Sequence, residues 1–325
     1  MPMKTIFLFP GQGAQYPGMA LDLMESDDVK KLFAIASDIT GKDMKDTLEN
    51  SGPDILKRTD VSQPCITLAN LSAAVYLAEK GIKPDGCAGF SLGEYAALAV
   101  AEVISLEDCF FLVNKRGIAM QAAIDRLMSE TATEPDSAGQ PGMAKLPGMA
   151  AVIGLTPDHV ESLISEWKKE LGDLYAANIN SPGQVVVSGS ALALDEAERR
   201  FGRAGAKRFI RLKVAGPYHS PFMKEAAEEF RPALEKIKFN DPAIPVFSNV
   251  TGKQIKSGNE VKELAFRQIT EAVRWTDVEK TVSGLNPERL LEAGPGKVLQ
   301  GLWKDTGSAL PCLAAGTAAD IAKLL

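Results

Sequence analysis

The pentapeptide Gly89-Phe90-Ser91-Leu92-Gly93 has the Gly-x-Ser-x-Gly spacing. On a sharp strand-to-helix turn, that spacing exposes a serine hydroxyl as a nucleophile. It also arises in ordinary loops, so the serine must be judged by what could activate it. A serine needs a base, and the chain has two histidines, His159 and His219. His159 falls in the first turn of the helical stretch "TPDHVESLI", a solvated position with no Gly or Pro to shape a cavity. His219 stands in "GPYHSP", bent by Gly216, Pro217 and Pro221, where a side chain can project into a cleft. It is the candidate base. If Ser91 opens a helix, the free N–H groups of the first turn favour nearby negative charge, and Leu92 N–H is the natural first oxyanion donor. Two histidines are too few for a histidine-built zinc site. The cysteines Cys65, Cys87, Cys109 and Cys312 lack Cys-x-x-Cys spacing and read as small buried hydrophobes, so no metal is expected.

Two further positions invite chemistry. The loop "PGQGAQYPGM" fails as a phosphate cradle, because Met19-Ala20 follows Gly18 where Lys and Ser or Thr are needed. It fails as a dinucleotide fingerprint because Tyr16 takes the place of the third glycine. A tight turn after the strand is about as good a reading as any nucleotide site, and a third reading is that the flexible backbone and Gln12 line a site for an oxyanion. In the next long helix, Leu106, Cys109, Phe110, Val113, Gly117 and Met120 form one apolar face, and Arg116 lies about 70° off its centre. An arginine there either snorkels to water at a boundary or clamps a carboxylate through its two-pronged guanidinium.

The elements around these residues alternate strand and helix, which implies a mostly parallel sheet covered on both faces. "TIFLF" is a β-prone strand, helices are expected near 20–38 and 64–80, and "PDGCAGFS" is a weak strand before the helical "LGEYAALAVAEV". A helix over 105–127 precedes residues 129–147, whose Ser, Thr, Pro, Gly and Ala content predicts a flexible loop. Over 149–214 the order becomes βαββαβ, a ferredoxin-like unit. Its last strand is "KRFIRLKV". Helices near 221–237 and 260–274, the segment "IPVFSNV" and a final strand–helix pair then resume the first pattern. The expected organisation is a large α/β domain from 1–148 and 215–325 with a small subdomain, 149–214, inserted in it.

Composition fits that plan. The chain has 325 residues, 45% hydrophobic and 24% charged, enough for a large core. A net charge of −6 argues against nucleic-acid or anionic-membrane binding. Ile6–Phe9 is too short for a signal segment, and no uninterrupted apolar run reaches the roughly eighteen residues of a span. A soluble cytoplasmic protein is expected.

Taken in order, "FPGQGAQ", "TDVSQP", "GFSLGEYAAL", "RGIAMQ", "ANINSPGQVVVSG", "PYHSPFM", "PVFSNVTG" and "EAGPGKVLQGL" run the length of the chain. This series resembles the malonyl-CoA:acyl carrier protein transacylase family of fatty-acid synthesis. The resemblance implies an α/β-hydrolase-like large domain with a ferredoxin-like subdomain. It implies that Ser91 attacks a malonyl thioester, that His219 moves the proton, and that the N–H groups of Gln12 and Leu92 hold the oxyanion. It further implies that Arg116 pairs with the malonyl carboxylate, that Gln63 lines the pocket, and that a backbone carbonyl at Asn249 orients His219. Malonyl-CoA and acyl carrier protein are the expected partners of a monomer, with no cofactor. The resemblance also implies that the residue just before the histidine tracks the acyl unit, and aromatic Tyr218 there points to malonyl over branched malonyl units. Phe90 departs from the histidine usual in the family, and the 129–147 loop is longer than usual. A polyketide acyltransferase and a serine hydrolase or thioesterase are the alternatives. The run "RRFGRAGAKRFIRLK" offers Arg199, Arg200, Arg203, Lys207 and Arg208 for docking an acidic carrier.

Overall fold

The computed structural model describes residues 4–132, 146–214 and 216–325. Its large sheet is built around Thr5–Phe9 (β1), buried on both faces as a covered parallel strand must be. Side chains alternate along it: Phe7 and Phe9 join one core cluster, Ile6 and Leu8 the other. Beside β1 lie Gly86–Gly89 (β2) and Arg289–Glu292 (β8), with Val246–Phe247 (β7) and Cys312–Ala314 (β9) at the edges. The order is β7-β2-β1-β8-β9, and every pair is parallel.

The second sheet contains Gly148–Ile153 (β3), Leu174–Ser181 (β4), Gln184–Gly189 (β5) and Arg208–Arg211 (β6). It is antiparallel throughout, in the order β4-β5-β3-β6. Helices Pro157–Leu171 and Ala191–Arg203 complete the βαββαβ sequence and close a separate core, where Trp167 packs edge-on to Phe201 at 4.9 Å. Strand β4 also bonds outside its own sheet, to a segment of the large domain: Ile179 N–H donates to the Val273 carbonyl (2.8 Å) and Val273 N–H to that of Ala177 (2.9 Å).

Several elements differ from expectation, most of them for a visible physical reason. The helix expected from Pro64 begins at Thr59 and runs to Glu79 with Pro64 inside it. Proline removes the N–H that would have reached the Asp60 carbonyl; Lys42 Nζ donates to that carbonyl instead, at 3.3 Å. This helix is long and apolar enough to cross a membrane, but 89% of its apolar window is buried inside the fold. The helix Leu106–Ala132 continues past 127, so residues 129–132 are helical and not loop. The rest of the expected loop, 133–145, lies outside the described residues. The strand over "KRFIRLKV" is shorter than its sequence suggests, spanning Arg208–Arg211 alone. The helix expected over 260–274 ends at Arg267, as Gly258–Arg267, and a further helix, Trp275–Ser283, begins only beyond that span. Between them the chain leaves helical geometry to make the Val273 bridge, and this break presents Gln268 to the site.

Candidate active site

The nucleophile turn is forced by glycines. A Cβ on Gly89 would sit 1.9 Å from the Gly93 carbonyl carbon, and one on Gly93 would sit 2.0 Å from the Phe9 carbonyl oxygen. Both positions therefore exclude any side chain. Between them Ser91 adopts φ 49°, the left-handed region that non-glycine residues rarely occupy outside functional sites. Gly93–Val100 follows as a helix, so Ser91 sits at a strand-to-helix elbow.

Ser91 Oγ lies 2.7 Å from His219 Nε2. His219 is also left-handed, at φ 53°, and is 4% exposed. Its Nδ1 lies 2.8 Å from the Gln268 carbonyl oxygen. A carbonyl only accepts, so Nδ1 carries the hydrogen and Nε2 presents its lone pair to the serine hydroxyl. Burial, reinforced by the positive charge of Arg116, pushes the imidazole down to about 4. It is therefore neutral near pH 7, the form a general base requires. His159, by contrast, is exposed on its helix.

The orienting carbonyl thus belongs to Gln268 and not to Asn249. Asn249 braces the serine: its Oδ1 accepts from Ser91 N–H (2.5 Å) and its Nδ2 donates to the Gly89 carbonyl (2.7 Å). Gln268 Nε2 donates to the Ser91 carbonyl (3.1 Å) and to Glu94 Oε2 (2.9 Å), which also accepts from Asn249 N–H (2.8 Å). Glu94 is 2% exposed, and burial raises its carboxyl to about 7 against the pull of these donors. No sequence signal marks Gln268, whose position depends on the helix break. Glu94 was findable, as a carboxyl in the first turn of an otherwise apolar helix.

Arg116 is 1% exposed, so it is no boundary residue. Its Nη2 donates to Gln268 Oε1 at 3.3 Å, its guanidinium carbon lies 5.6 Å from the Tyr95 ring centroid, and its Nε has no partner. Among the described residues no carboxylate forms an ion pair with it. A buried cation with an idle donor is costly to the fold and ready for an anionic group.

Ser91, His219 and Arg116 line one cavity of about 270 Å³, together with Gln12 and Tyr218. Tyr218 Oη is 2.6 Å from Thr59 Oγ1 and accepts from Gln12 Nε2 at 3.3 Å. The Gln12 loop abuts the elbow: a Cβ on Gly11 would meet the Phe90 carbonyl oxygen at 2.4 Å. Among the described residues, the N–H groups of Gln12 and Leu92 bond to no protein acceptor. Gln63 is not in the cavity wall. It is fully buried behind it, donating to Met120 Sδ at 3.3 Å, and Met120 is the lining residue. Phe90 also faces the cavity and packs edge-on against Trp275 at 5.4 Å, an apolar contact where a histidine would seek a polar one. Lys57 and Lys213, absent from the expected site, line the same cavity. An adjoining hollow of about 360 Å³ shares Lys57 and Val214 but contains no serine or histidine.

In the basic run, Arg199 pairs with Glu196, and Arg200 pairs with Glu196 and Glu170. Arg203, Lys207 and Arg208 are exposed and make no ion pair among the described residues. The docking surface predicted from sequence is therefore partly neutralised at Arg199 and Arg200.

The arrangement can carry out nucleophilic acyl transfer on an acid-bearing acyl group. Comparison with known proteins agrees. The acyl transferase domain family model matches residues 6–171 and 143–322. A malonyl CoA-acyl carrier protein transacylase of Haemophilus influenzae is 37% identical over 93% of this chain and 91% of its own. That of Bacillus subtilis is 33% identical over 96% and 93%. Among solved structures, the transacylase of Coxiella burnetii superposes with a TM-score of 0.88 at 30% identity, covering 100% of this chain and 97% of its own. A malonyl-transacylase in complex with its type II polyketide synthase acyl-carrier protein gives 0.87 at 34% identity, with 99% of each chain covered. The chain is an acyltransferase of the acyl transferase domain family and belongs, within it, to the malonyl CoA-acyl carrier protein transacylases.

Proposed function

We propose that the chain moves a malonyl group from malonyl-CoA to the phosphopantetheine thiol of acyl carrier protein through a Ser91 ester, in fatty-acid synthesis. The observation that carries this reading is the presence of the Ser91–His219 pair and the buried, unpaired Arg116 in one cavity. Arg116 holds the malonyl carboxylate. His219 Nε2 takes the Ser91 proton as Oγ attacks the thioester carbonyl. The free N–H groups of Gln12 and Leu92 receive the oxyanion, and collapse of the tetrahedral intermediate breaks the C–S bond. The departing CoA sulfur takes the proton from His219. The carrier thiol then gives its proton to His219, attacks the ester, and Ser91 leaves with that proton. The scheme uses no metal or cofactor, and we assign it to a monomer acting in the cytoplasm, where malonyl-CoA and the carrier are its partners. Tyr218, pinned by Thr59 and Gln12, narrows the cavity against branched malonyl groups.

The carrier docks, in this reading, on the unpaired cations Arg203, Lys207 and Arg208 of the small lobe, residues 149–214. A related malonyl-transacylase stands in complex with its type II polyketide synthase acyl-carrier protein, so the polyketide pathway is the second reading. One pair of single-turnover rates tests the assignment. Arg116→Ala should slow malonyl loading by about a hundredfold relative to acetyl loading, the order expected for losing a buried charged contact. Arg203→Glu with Arg208→Glu should slow discharge to the carrier severalfold while loading from malonyl-CoA holds. An unchanged malonyl preference in the first variant, or unchanged discharge in the second, would remove the corresponding role.

A further inference from the structure

The cavity carries cations at two depths. Arg116, from the helix Leu106–Ala132, is fully buried. Lys57 and Lys213 line the same cavity yet are exposed to solvent. They come from opposite lobes: Lys57 ends the short helix Pro53–Lys57 of the large lobe, and Lys213 follows β6 of the small one. Lys57 Nζ makes a salt bridge at 2.9 Å to Asp54, whose side chain is 96% exposed and which is therefore held by little else. Lys213 has no ion pair among the described residues. The same wall includes the apolar Met120, Met149, Leu212 and Leu302 and the polar Asn178, Asn180 and Gln184.

A cavity lined by one buried cation and two solvent-exposed ones matches a ligand anionic at both ends. Malonyl-phosphopantetheine is such a ligand, with a carboxylate at one end, a phosphate at the other and the thioester between. We propose that Lys57 and Lys213 form a phosphate grip spanning the two lobes, which binds the phosphate of the phosphopantetheine arm shared by CoA and the carrier. This rests on the malonyl-transfer reading and adds to it a second anchor, distinct from Arg116 and from the cations of 199–208. Lysine suits such a grip because its ammonium is a point charge on a flexible stem, able to follow a phosphate that arrives on two different carriers. Exposed pairs are individually weak and salt-sensitive, so the grip raises the rate of capture without trapping product.

The test compares malonyl-pantetheine with malonyl-4′-phosphopantetheine as donors to Ser91 in the parent and in Lys57→Ala, Lys213→Ala and the double variant. In the parent, adding the phosphate should raise kcat/KM by about tenfold at low salt, the size of two exposed charge contacts. That gain should shrink as salt rises, fall in each single variant and nearly vanish in the double one. A gain that persists in the double variant, or no gain in the parent, overturns the grip while leaving malonyl transfer standing. Failure of the parent to load from either donor, or from malonyl-CoA, would instead overturn the transfer reading and the grip with it.

Discussion

At the scale of single residues, the site depends on one imidazole kept neutral. Burial and Arg116 both disfavour the charged form of His219, and the Gln268 carbonyl only partly offsets them. With neutral Nε2 as the proposed base, loading of Ser91 should be retained as pH falls through the ordinary histidine range and be lost only as the folded-state value of about 4 is approached. A pH profile of Ser91 loading should therefore show its acid limb well below 6.5, the ordinary value of a free histidine. An acid limb at about 6.5 would mean that the imidazole is solvated during turnover. Ser91 and His219 were legible from residue type and spacing, whereas Gln12 and Arg116 gained a role only through the family resemblance; all four line one cavity. Gln63 and Asn249 act differently from what the family resemblance implies, because one lies a layer behind the wall and the other acts through its side chain on the serine. Gln268 could not be read at all, since a glutamine after a helix looks like surface until the fold buries it.

At the scale of elements, two left-handed residues face each other, Ser91 after β2 and His219 in a proline-bent loop. Such strained positions persist only when their surroundings over-determine them. At Ser91 the determinants are the glycines on either side and the bonds from Asn249 and Gln268. Gly93→Ala should therefore lower stability by about 2 kcal/mol, because the new Cβ meets a backbone oxygen that cannot swing away. Malonyl loading should fall at least tenfold with it. Urea unfolding together with a loading rate checks this, and near-parental values for both would show the elbow to be more yielding than its geometry implies. The Gly-x-Ser-x-Gly motif made this element readable, including the weak strand before it. Pro64 within a helix and the break at Gln268 were not readable, since a lysine on another element and a bridge from Val273 to β4 override local propensity.

At the scale of the whole molecule, the two sheets were legible as a change of rhythm near residue 149, from alternating strand and helix to βαββαβ. The cavity between them was not, because it is made by residues from both lobes: Gln12, Arg116 and Lys57 on one side, Asn178, Asn180 and Lys213 on the other. In the proposed mechanism this arrangement would hold the acyl group at Arg116 within the cavity and leave the carrier outside it, as two-step transfer from a large donor to a large acceptor demands. The most direct test of malonyl transfer through Ser91 is an intact-protein mass spectrum after mixing with malonyl-CoA, followed by addition of acyl carrier protein, with Ser91→Ala in parallel. The expected result is a malonyl adduct on the parent and none on Ser91→Ala, with the adduct moving to the carrier faster than it hydrolyses. An adduct that decays to free malonate at the same rate with or without carrier would contradict transfer and mark the chain as a hydrolase.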